Sequence, residues 1–288
     1  MSRIPINPPA AELATASSIV TGSARRYEVD RFAGPLSVKS VVRGVATWET
    51  ASGRFEIGPG TALILNDREE YSLTIDSPQP VETFCVFFAT GFVEDARHAA
   101  VSASHTLLDG GSAPAAAFSE RLEYGGPLVA AMALARRSRD EAAIVALAEV
   151  LVRSLCDVGE RMERLPALRA ATRAELHRRI AMATEYIHAN LGESLSLETI
   201  AAAARLSSFH CHRVFRAYHG VTPHEYITRL RLARARMFMR SSSRTVLEIA
   251  QDCGFESVTS FTALFRKAFG VPPGRFRKIE EERHPDAE

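Results

Sequence analysis

Between Ser207 and His219, four side chains (Phe209, His212, Arg213 and Arg216) fall on one side of a helical pattern. Cys211, Val214, Phe215 and Tyr218 fall on the other, at the spacing of a core-facing stripe. An arginine on the exposed side can donate two parallel hydrogen bonds to the edge of a guanine, worth about 1–3 kcal/mol of discrimination between bases. The imidazole of His212 can donate or accept at a base edge, and Arg216, one turn later, suits a phosphate oxygen. A second surface of this kind follows about fifty residues on. There Val258, Thr259, Thr262, Ala263 and Arg266 face out, and Phe261, Leu264, Phe265 and Ala268 are expected to face in. Its methyl groups fit thymine methyls, but it has few strong donors to bases.

These surfaces belong to two copies of one structural sentence. Ile200-Ala201 aligns with Ile249-Ala250, and Leu206 and Phe255 come six residues later in each copy. Phe215-Arg216 then matches Phe265-Arg266, and Gly220-Val221 matches Gly270-Val271. Each copy reads as a helix, a turn and a second helix over about 196–219 and 245–269, the form in which a helix is offered to the major groove. Ser207 is a candidate N-cap. Thr222-Pro223-His224-Glu225 and Thr245-Val246-Leu247-Glu248 spell capping boxes that start the connecting helix and the second motif. The connector carries Arg229, Arg231, Arg234, Arg236 and Arg240, most of which are expected near phosphates. Cys253-Gly254-Phe255 is a turn in which glycine permits positive φ, and the first copy has Arg205 at that place.

The charge is divided along the chain. Residues 174–279 hold 16 Lys/Arg against 8 Asp/Glu, residues 1–173 hold 18 against 21, and residues 280–288 hold 1 against 5. A basic C-terminal module beside an acidic partner implies that one half meets a polyanion. At 288 residues the chain can bury two cores. No apolar run approaches a membrane span, and Met1–Ala16 lacks the basic-then-apolar pattern of an export signal. Cys85, Cys156, Cys211 and Cys253 have neither paired nor metal-ligand spacing. The expected location is therefore the cytoplasm, without membrane contact.

The first half reads as short strands over 37–42, 45–49, 54–57, 61–65, 71–75 and 81–89, punctuated by turns such as Ser77-Pro78. A loose arm over 1–24 precedes them. Helices are expected at 127–139 and 140–164, the second with an apolar stripe of Ile144, Leu147, Leu151, Leu155 and Val158. That stripe suits either a homodimer contact or packing on the chain's own barrel. The run Ile57-Gly-Pro-Gly-Thr-Ala-Leu-Ile-Leu65 resembles the turn and strand of cupin barrels. Residues up to Ala89 include no histidine (His98 and His105 come later), which argues against a cupin-type metal site and against a cofactor. A barrel of this size can hold one small ligand. Trp48, Tyr71, Phe84, Phe87 and Phe88 are candidates to line it, with Trp48, Tyr71 and Phe87 foremost, and filling the core is their alternative role.

From Glu175 to Lys278 the chain resembles the AraC/XylS-type transcriptional regulators. The resemblance rests on Ile249-Ala-Gln-Asp-Cys-Gly-Phe-Glu-Ser257, Phe261 and Phe265-Arg-Lys-Ala-Phe-Gly-Val-Pro-Pro-Gly-Arg-Phe-Arg277. It implies a seven-helix, double helix–turn–helix domain and an effector and dimerisation domain before it. It also implies promoter DNA and RNA polymerase as partners. By resemblance the base-facing positions are Phe209, His212 and Arg213 in the first helix, and Val258, Thr259, Ser260 and Ala263 in the second. Ala263 stands where the family often carries a long polar or arginine side chain. The expected fold is therefore α+β in two domains. A cupin-like β-barrel with following helices spans 25–165, a linker 166–173, and an all-α domain 174–288. The expected function is a non-enzymatic, effector-responsive activator that contacts two major-groove segments about 34 Å apart. A cupin enzyme with a DNA-binding tail and an effector-independent architectural binder are the alternatives.

Overall fold

The computed structural model describes residues 4–102, 118, 121–166 and 169–283. The Ala/Ser/Gly-rich stretch at 109–117, His105 and Leu168 lie outside them.

The N-terminal half is one curled antiparallel sheet, a half-barrel. Its strands are β1 (Ser18–Ala33), β2 (Ser37–Arg43), β3 (Ala46–Thr50), β4 (Gly53–Ile57), β5 (Thr61–Leu65), β6 (Glu70–Phe87) and β7 (Leu122–Tyr124). The order is β4-β3-β6-β2-β5-β7, with β1 on the other edge of β6. Two expectations are corrected here. The arm over 1–24 is not loose from Ser18 onward, because β1 pairs with β6 from Ser18↔Phe87 to Ala33↔Glu70. Ser77-Pro78 does not end a strand. The ladder jumps from Ala24↔Val81 to Arg26↔Asp76, so residues 77–80 bulge out and β6 continues. Pro78 and Pro80 lack the N–H a ladder needs, and a bulge removes the need.

The period-2 alternation of the strands sorts their side chains between two cores. Val38, Ala62, Ile64, Phe84, Val86 and Phe88 pack against the helices α2 (Gly126–Ser138) and α3 (Glu141–Glu163). Trp48, Phe55, Leu63, Leu65, Tyr71, Cys85 and Phe87 fill the inner face of the curl. Phe84 and Phe88 therefore leave the set of aromatics facing the barrel interior. Asp140 caps α3, accepting from the Ala143 N–H at 2.9 Å. Ile144, Leu147 and Leu151 are buried on the sheet, so the stripe expected to serve either fate is taken up by the chain's own domain. A shorter helix, α1 (Phe92–Ser102), packs beside α3.

Among the described residues the C-terminal half is seven helices. They are α4 (Ala170–Ala189), α5 (Leu197–Ala203), α6 (Ser208–His219), α7 (Pro223–Ser241), α8 (Val246–Asp252), α9 (Val258–Phe269) and α10 (Pro273–Arg283). α4 begins at Ala170, so the connection is shorter than the expected 166–173. One core unites α4, α5 and α6 with the start of α7, and a second unites the end of α7 with α8, α9 and α10. The connector helix thus belongs to both motifs, which fixes their separation.

The two halves touch. Any side chain at Gly53 would collide with Ala189 of α4, and one at Gly58 would meet Met237 of α7. Glu56 on β4 accepts a hydrogen bond from Arg234 of α7 and lies 3.6 Å from Arg244. Arg161, near the end of α3, lies over the ring of Tyr218 in α6 at 5.1 Å.

Candidate nucleic-acid interface

Local sequence sets the start of each helix in the two motifs. The Ser196 and Thr199 side chains cap α5 reciprocally. The Ser207 hydroxyl accepts from the His210 N–H at 3.4 Å, and the Ser257 hydroxyl from the Ser260 N–H at 3.4 Å. Thr222 with Glu225, and Thr245 with Glu248, close full capping boxes. The Glu225 and Glu248 carboxyls sit below the ordinary carboxylate range, chiefly because the backbone N–H groups of Thr222 and Thr245 donate to them. Gly220 and Gly270 end α6 and α9 at φ of 74° and 80°. Gly254 turns the second motif at φ 77°, and Arg205 takes the same left-handed region at φ 54° in the first. The bulkier residue expected there is accommodated by strain, not by another turn.

The candidate base-facing positions lie as follows. On α6, Phe209 is 79% exposed, Arg213 and Arg216 are exposed, and His212 is half-buried, while Cys211, Val214, Phe215 and Tyr218 form the core face. On α9, Thr259, Ser260, Ala263 and Arg266 are exposed. Two assignments there change. Val258 is half-buried against the second core, so its methyls are partly committed to the motif's own packing. Ala268 is exposed, not inward, because the aromatic trio Phe261, Phe265 and Phe269 already occupies that side.

The arginines of α7 are also mostly committed elsewhere. Arg231 donates to the Leu191 carbonyl at 3.0 Å and the Glu193 carbonyl at 2.6 Å, tying the connector to the turn between α4 and α5. Arg234 joins Glu56, Arg236 lies over Phe269 at 5.1 Å, and Arg240 donates to Glu280 at 3.0 Å. Arg229 is exposed. A row of charges along a helix does not by itself distinguish a solvated face from a set of structural ties, and four of these five arginines have partners within the protein. Exposed cations that the residue spacing did not single out are Lys267, Arg275 and Lys278, on α9 and α10. The basic balance of 174–279 was the available signal for them.

The three candidate effector-binding residues come together on the inner face of the curl: Trp48 is 1%, Tyr71 7% and Phe87 4% exposed. Among the described residues no group of three or more His, Cys, Asp or Glu could hold a metal ion. No helix of the described residues is long and apolar enough to cross a membrane.

Residues 36–150 match the family model of the AraC-like ligand binding domain, and residues 200–279 match a helix-turn-helix domain model. The chain belongs to the AraC family. The family's two-part plan places the curled sheet as a ligand-binding domain and the seven helices as the helix–turn–helix domain. Similar proteins include the HTH-type transcriptional regulator ArgR of Pseudomonas aeruginosa, 32% identical over 151 residues, or 52% of this chain and 45% of that protein. The bifunctional transcriptional activator/DNA repair enzyme AdaA of Bacillus subtilis is 33% identical over 102 residues, 35% of this chain and 48% of its own length. The chain thus spans about half the length of these relatives. Among solved structures, the DNA-binding domain of AdpA in complex with a target DNA is 29% identical. That alignment covers 38% of this chain and 97% of the AdpA domain, at a TM-score of 0.36.

Proposed function

We propose that this AraC-family chain is a sequence-specific, DNA-binding transcription regulator and an effector-responsive activator, not an enzyme. The observation that carries the reading is the pair of capped, outward-presented helices, α6 and α9, held by one connector in a module with 16 Lys/Arg against 8 Asp/Glu. Family membership supports it. So does the name of AdaA, a transcriptional activator, although that protein is also a repair enzyme.

In this reading α6 specifies sequence through Phe209, His212 and Arg213, with Arg216 on a phosphate. α9 contributes Thr259, Ser260 and Ala263, a partial share from Val258, and Arg266 as an anchor, so the second half-site is read more by methyl contact and shape. Trp48, Tyr71 and Phe87 face an effector within the half-barrel. Promoter DNA and RNA polymerase are the partners, in the cytoplasm. Ligand occupancy reaches the DNA-binding helices along two routes, Glu56 to Arg234 and α3 to Tyr218. Association of two copies through α3 would use its outer side, where Val145 is 40% exposed, and sedimentation tests it.

Electrophoretic mobility shift of the full chain against fragments of its source genome tests the reading. Retarded fragments that survive excess competitor DNA are expected, and uniform, competitor-sensitive retardation would refute it.

A further inference from the structure

The inner face of the half-barrel holds a charge that no described carboxylate neutralises. Lys39, on β2, is 1% exposed. Its Nζ donates to the Tyr71 hydroxyl at 3.1 Å and lies 3.5 Å from the centroid of the Phe87 ring and 4.8 Å from that of Tyr71. No described carboxylate pairs with it. The nearest acidic candidate is its cross-strand partner Cys85, whose thiol is pushed up by burial and stays protonated. Burial lowers Lys39 to about 8, so the ammonium is still mostly charged at neutral pH. Aromatic faces and one phenol compensate a buried cation only in part.

Further unmet polar groups lie beside it. Ser37 precedes Lys39 by two residues and so shares its face of β2, and its hydroxyl is buried without a hydrogen-bond partner. The Ser18 hydroxyl, also buried and unpartnered, is in the same row, because Ser18 and Ser37 flank Phe87 on opposite sides of β6. Buried hydroxyls ordinarily find partners. Two orphan donors and an unpaired ammonium in one apolar interior match one ligand chemistry, a single anionic group with several acceptor atoms.

We propose that the inner face of the half-barrel binds a small monocarboxylate. The carboxylate takes Lys39 as its counter-ion and Ser37 and Ser18 as hydrogen-bond donors, and the apolar body lies against Trp48 and Phe87. This rests on the reading of the N-terminal domain as the effector domain and names the effector's class. A single ammonium suits one negative charge better than a phosphate dianion.

Trp48 is the chain's single tryptophan and sits in this interior, so its emission reports binding directly. The full chain is titrated with straight-chain and phenyl-substituted monocarboxylates, with the matching primary amides and with neutral sugars. At least one carboxylate should bind saturably, and its amide should bind at least 30-fold more weakly. Lys39→Met should abolish the acid-over-amide preference while melting no lower than the parent. Ser37→Ala should weaken the acid about fivefold and leave the amide unchanged, and it serves as the readout if Lys39→Met does not fold. Equal binding of acid and amide, or unchanged acid binding in Lys39→Met, would overturn the carboxylate assignment and leave the effector reading standing. Failure of every acid, amide and neutral sugar tested to bind would overturn both.

Discussion

Replacing Glu56 with glutamine removes the carboxylate toward which Arg234 and Arg244 both turn, and with it the charged tie between the half-barrel and the connector helix. Losing one partner of a fully buried ion pair costs about 3–5 kcal/mol, whereas exposed pairs contribute about 0–1 kcal/mol. Both Glu56 and Arg234 are 16% exposed, which places the pair between these limits. Arg244 retains Asp252 at 2.9 Å, Arg234 retains the Phe238 face at 5.3 Å, and the new amide keeps one acceptor. The expected loss is therefore about 2 kcal/mol, or roughly 30-fold in the docking equilibrium. Limited proteolysis across residues 164–169, between α3 and α4, reads that equilibrium. A double-mutant cycle with Arg234→Met isolates the pair. The pH dependence carries a sign. Burial raises the Glu56 carboxyl, but Arg234 and Arg244 outweigh it and hold it below its ordinary value. Its contribution is accordingly complete above the ordinary carboxylate range and is lost as pH falls through the lowered folded value. Glu56→Gln should flatten that part of the curve. A coupling energy under about 0.5 kcal/mol, with unchanged cleavage, would refute the docking argument.

Burial lowers His188 of α4 to about 4 and His219 of α6 to about 3, so both are neutral when folded. Below pH about 6.5 the unfolded chain takes protons first. Chemical denaturation should show stability falling between that point and pH 4 by up to about 3 kcal/mol for His188, and His188→Gln should reduce the slope. Arg205 occupies a left-handed turn at φ 54°, so Arg205→Gly should raise Tm by about 1–2 °C. Gly254→Ala should lower Tm, because that position combines φ 77° with the guanidinium of Arg231 2.7 Å from where its Cβ would sit.

The helical half was easily read because its signals are local. A threonine with a glutamate three residues on, a glycine after the last turn and a 3.6-residue stripe each act within a few residues. Thr222/Glu225 and Thr245/Glu248 close as their spelling implies. The half-barrel was harder. β1 was missed because residues 18–33 show little alternation, one edge strand of a curl exposing most of its length. The prolines at 78 and 80 resembled a strand break, because nothing in the chain announces that a bulge will absorb them. The arginines of α7 could not be assigned from spacing, since the partners that claim them (Glu56, the Leu191 and Glu193 carbonyls, Phe269) are distant in sequence. Lys39 carries no sequence mark at all: only strand register brings it to Tyr71 and turns Ser37 toward the same interior.

The central claim is that α6 and α9 read two successive major-groove segments unequally. Selection of bound duplexes from a random pool by the full chain, repeated with Arg213→Ala, tests it most directly. The account predicts a bipartite site whose halves lie about one helical turn apart, one rich in base information and one weak. Arg213→Ala should erase a guanine preference in the strong half and leave the weak half as it was. An unaltered strong half in the variant, or an enriched pool with no bipartite site, would contradict it.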